Sequence, residues 1–170
     1  MQVFESLERL FQQIERLFLL VAVLLLVVML AANAANIASR NFFGAASIDV
    51  FPWTTVFFVW MSFLSFFVIY RRGRDIAVHF VIDRIGGRAR VVGWIVARFV
   101  TLFVMVVIMV EAPGIIELQV GEVSDFVMIE RFWLTFPFFV SCALILADVA
   151  VVLLRSAVSR EIPLPSEPSH

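Results

Sequence analysis

LFLLVAVLLLVVMLAANAANI, residues 17–37, runs its whole length without a charged side chain. A helix needs about 20 predominantly apolar residues to cross a bilayer core of about 30 Å. This stretch meets that length, and three more follow: residues 51–70, 91–116 and 132–154. The segments between them are too short to build a second hydrophobic core. The pattern predicts an all-α integral membrane protein with four transmembrane helices. Residues 1–160 make one domain on this reading, and the Pro- and Ser-rich segment 161–170 makes a disordered tail.

Composition points the same way. Hydrophobic residues make up 62% of the 170, and the mean hydropathy is +1.02, far above the balance of a soluble domain. A soluble chain this short has too little interior to bury so much apolar surface. The formal net charge of −1 gives no electrostatic footprint for nucleic acid. Cys142 is the single cysteine and lies in the fourth run, so an internal disulfide, a thiol relay and a cysteine metal site are excluded. It reads as a small buried hydrophobe. The first run is read as a retained span rather than a signal peptide. The arm before it carries Glu5, Glu8 and Glu15 against Arg9 and Arg16, whereas a signal peptide has a short, positive n-region.

The chain has no lysine, so arginine alone sets the orientation. The arm carries Arg9 and Arg16, and the tail Arg155 and Arg160. The second connection holds Arg71, Arg72, Arg74, Arg84, Arg88 and Arg90. The first connection has only Arg40, and the third has Arg131 beside Glu117, Glu122, Asp125 and Glu130. Arginine-rich short loops stay cytoplasmic, which places both termini and the second connection inside. Trp53, Trp94 and Trp133 open spans and Tyr70 closes one, at the depth amphipathic rings favour. Trp60 falls in mid-span instead.

Two segments read as helices lying on the membrane surface. In the arm, Val3, Phe4, Leu7, Leu10, Phe11, Ile14 and Leu17 recur at helical spacing with polar residues on the other face, which predicts an amphipathic interfacial helix. In the second connection, Ile76, Phe80, Val81 and Ile85 predict a shorter cytoplasmic interfacial helix ended by Gly86-Gly87.

Three charges fall within spans: Arg98, Glu111 and Asp148. Such groups cost about 2.5–3.5 kcal/mol on insertion scales and usually have partners. Arg98 is seven residues from Val91, and Asp148 is seven residues before Arg155, so each lies about 10 Å in from the same surface. These two spans are consecutive and antiparallel, and Arg98 and Asp148 are expected to form a structural intramembrane pair. Glu111 lies nearer the outer surface, beside Pro113-Gly114, where the helix is expected to kink or end. A proton or ion path along these charges is the competing reading. It lacks the several acids or the interrupted Gly/Pro pattern of a coupling site.

Catalytic chemistry has little to work with. His79 and His170 are the only histidines and neither is in a span, which leaves no axial ligand pair for a membrane haem. No H-E-x-x-H, G-x-S-x-G or P-loop pattern occurs. Asp75, His79 and Asp83 form a four-residue ladder that reads as a solvated helix face, a metal site being the alternative. No enzyme activity, metal or cofactor is expected.

The stretch PWTTVFFVWMSFLSFFVIYRRGRDIAVHFVIDRI, residues 52–85, resembles the small membrane subunit (DctQ type) of tripartite ATP-independent periplasmic (TRAP) transporters. Trp53 at the head of the second span, Trp60 within it, Ser65, Arg71, Ile76 and Asp83 with Arg84 and Ile85 can be laid on that family's pattern. Ser124, Trp133 and Pro137 resemble its entry to the last span. Two departures stand out. Thr54 and Thr55 occupy positions where the family commonly has acidic residues, and Asp75 and His79 exchange its His and Asp. The resemblance implies a scaffold subunit in a bacterial inner membrane. Its partners would be a large permease subunit, a periplasmic solute-binding protein and membrane lipids. Sodium ions would bind the large subunit, and organic acids would be the solute. Trp53, Trp60, Arg71, Arg72, Asp75, His79 and Asp83 are the contacts it suggests for a partner subunit. The alternative is a self-contained homo-oligomeric channel or transporter, for which Asn33, Asn36 and Glu111 are few polar groups.

Overall fold

The computed structural model describes the backbone of residues 2–44, 50–82, 88–124 and 128–159. Four helices account for nearly all of it: α1 Gln2–Phe43, α2 Val50–Ile82, α3 Arg88–Gln119 and α4 Arg131–Ser159. Each contains a stretch long and apolar enough to cross a membrane.

The arm and the first span form one uninterrupted helix. At a rise of 1.5 Å per residue, the 42 residues of α1 extend about 63 Å, roughly twice the hydrocarbon thickness. The separate amphipathic arm expected from the sequence is therefore the first part of α1. Its apolar stripe is also rotated from the expected one. Leu7, Phe11, Ile14 and Phe18 pack on the protein core, while Leu10 and Leu17 point outward. The expected loop helix is the continuation of α2, which runs unbroken to Ile82. The side chains of Asp75, His79, Ile76, Phe80 and Val81 lie outside the described residues, as do Asp83, Ile85, Gly86-Gly87 and the tail.

Contacts fix the helix directions. Going along α2, Trp60 bonds Trp133, Phe63 bonds Ser141 and Arg71 meets Asp148, so α2 and α4 run parallel. Phe18 of α1 stacks edge-on with Phe67, and Glu8 meets Arg71, so α1 is antiparallel to α2. Thr135 donates a hydrogen bond to Gln119 between the start of α4 and the end of α3. Side by side, the helices stand in the order α1, α2, α4, α3, and among the described residues α1 and α3 do not touch. The array is an open row rather than a closed bundle. Its inner members carry the core: Phe67, Cys142, Ile145 and Val149 are fully buried, and Phe11 and Met105 cover them from the two edges.

Proline positions test the helices. Pro52 sits in the first turn of α2, where the missing N–H costs nothing. Pro113 does not end α3, which continues past it to Gln119. Pro137 lies within α4 and cannot donate to the carbonyl of Trp133 four residues back. The indole Nε1–H of Trp60 donates to that carbonyl instead, at 3.0 Å. In lipid a freed backbone carbonyl must find a donor within the protein, and this bond explains an indole in mid-span.

Candidate functional site: a buried arginine hub

Glu8, Phe11 and Glu15 are spaced three and four residues apart on α1, so they stand on one face of the helix. That face turns toward Arg71 near the middle of α2. Arg71 Nη2 donates to Glu8 Oε1 at 2.7 Å, and Nε lies 3.4 Å from Glu15 Oε2. The guanidinium carbon sits 5.6 Å from the centre of the Phe11 ring, within cation–π range. On the opposite side, Nη1 lies 3.4 Å from Asp148 Oδ1. That last contact is an ion pair without hydrogen-bond alignment, since Nη1 has no hydrogen-bond partner in the structure. Arg71 is 8% exposed and Asp148 1%, so little water screens the pair.

The neighbouring residues extend the site. Arg72 Nε meets Glu15 Oε1 at 3.0 Å from the outer side. Arg98 of α3 donates from Nη1 to the Tyr70 hydroxyl at 2.7 Å. Among the described residues, three arginines (Arg71, Arg72, Arg98) and three carboxylates (Glu8, Glu15, Asp148) thus gather toward one end of the row, and their formal charges balance. Charges at membrane depth are tolerated when paired within the protein. Here the ion pairs join α1, α2 and α4, and the Arg98–Tyr70 hydrogen bond brings in α3.

The sequence-predicted residues fall as follows. Arg98 and Asp148 are both buried, and they meet consecutive residues of α2, Tyr70 and Arg71. Arg71, offered by the resemblance as a partner contact, is enclosed within this chain. Arg72 is half exposed. Trp53 and Trp60 line an apolar cavity of about 450 Å³ at the other end of the row, with Val56, Phe57, Trp133 and Leu134 among its walls. The roles of Glu8 and Glu15 were not read from the sequence. The signal was present, because both flank Phe11 at helical spacing, but Glu8 counts as part of the polar face of an amphipathic arm, and Glu15 as one of its charges, until a partner arginine is placed beside them.

A fixed, balanced cluster of this kind holds helices in register. Residues 29–159, most of the chain, match the family model described as tripartite ATP-independent periplasmic transporters, DctQ component. No curated protein matches the chain. Glu8, Phe11 and Glu15 lie before the matched region, and Arg71, Arg98 and Asp148 lie within it.

Proposed function

The chain belongs to the DctQ component family, the small membrane subunit of tripartite ATP-independent periplasmic transporters, and from that premise we propose that it acts as a scaffold beside the large permease subunit. Solute captured by the periplasmic binding protein would pass through the large subunit, driven by a sodium gradient, with organic acids as the solute class. The scaffold reading is supported above all by the hub. Its charges neutralise one another across all four helices, an arrangement suited to rigidity rather than to ion passage. The balance of arginines supports an inner-membrane orientation with both termini in the cytoplasm. A direct Arg98–Asp148 contact completes the proposed network.

Reconstitution tests the function. Liposomes holding both membrane subunits and supplied with the binding protein should take up organic acid under an inward sodium gradient. Liposomes holding this chain alone should match empty ones. Uptake by the chain alone would overturn the scaffold reading.

A further inference from the structure

α3 forms one edge of the row and packs chiefly on α4. Its outward stripe runs Val100, Phe103, Val107, Glu111, Gly114 and Leu118, spaced three or four residues apart and all exposed. Glu111 interrupts an otherwise apolar face eight residues before the end of α3 at Gln119, about 12 Å along the axis. Among the described residues it meets no polar partner. A carboxylate facing lipid at that depth is expensive, and such groups normally face protein and pair. Gly114, one turn further on, has open space where a side chain would be, which lets another helix approach closely.

We propose that this stripe of α3 is the seat of a transmembrane helix of the large permease subunit, and that the helix carries a basic side chain opposite Glu111. The inference rests on the family reading and names the face and the charge that reading leaves open. A second copy of this chain docking by the same stripe is a poor occupant. Two copies meeting on the stripe would set Glu111 against Glu111.

The test uses this chain, affinity-tagged, co-expressed with the large subunit and purified in mild detergent. Glu111→Lys should retain about tenfold less large subunit than the unaltered chain, the loss expected when a paired charge becomes a like-charge clash. Retention within about twofold would overturn the proposal. A photo-crosslinking residue placed at Val107 in an otherwise unaltered chain reports the contact without disturbing Glu111. It should give an adduct with the large subunit, while the same residue at Leu24, exposed on α1, should not. No adduct from Val107 in a complex that does co-purify would overturn the α3 face alone. Failure of the unaltered chain to co-purify with the large subunit would overturn the family-based assembly and this inference with it.

Discussion

A guanidinium presents five donors in a rigid fork, and Arg71 uses that breadth to reach carboxylates on two different helices. Lysine, a point charge on a flexible stem, has no equivalent reach. Arg71→Ala would remove the ion pairs to Glu8 and Asp148 and one of the two to Glu15. Breaking a buried pair from one side typically costs about 3–5 kcal/mol. A clear drop in thermal unfolding temperature in detergent is therefore expected, with Arg71→Lys recovering only part of it. The proposed Arg98–Asp148 contact is tested by a double-mutant cycle on the same measurement. Arg98→Ala and Asp148→Ala should each destabilise, and together by less than their sum. Strict additivity would mean that the two side chains act through separate partners.

Among the helices, α4 shows most directly how one element's sequence depends on another. Pro137 removes the donor for the Trp133 carbonyl, and Trp60 on α2 replaces it. Interhelical hydrogen bonds in membranes average about 0.6 kcal/mol, with the largest near 1.7. Trp60→Phe should cost an amount in that range in the unaltered chain. In a Pro137→Ala background the helix supplies its own donor to Trp133, and the same change should cost measurably less. Equal costs in both backgrounds would show that the indole acts through packing alone. α1 shows the reverse dependence. The apolar residues of its arm alone suggest a helix on the membrane surface, but Glu8 and Glu15 turn that face toward Arg71.

At the scale of the molecule, the open row exposes both edges, and most of what is exposed is apolar. Such a surface suits lipid and a membrane partner together. The orientation inferred from the arginines predicts that the α3–α4 connection faces the periplasm. Met128, highly exposed there, offers a probe position, and Arg9 offers one on the arm. Cys142 is fully buried and should stay silent to a polar maleimide. Met128→Cys should label from outside intact cells, and Arg9→Cys only after the membrane is permeabilised. The opposite pattern would invert the topology.

The number of helices, their membrane character and the family could all be read from the sequence, because burial in lipid demands long apolar runs whatever the tertiary arrangement. That Arg98 and Asp148 are charges within apolar runs was legible too, since both stand inside otherwise uncharged stretches of the sequence. Rotation about the helix axis was not legible. A repeat of apolar residues shows that a face exists but not what covers it, and for α1 the covering surface was α2 and the core rather than lipid. Arg71 counted in the sequence as one of six loop arginines. Only the packing of α1 and α4 on either side of it made it the buried centre of the site, because partners drawn from residues 8, 15 and 148 come within a few ångströms only after the chain has folded.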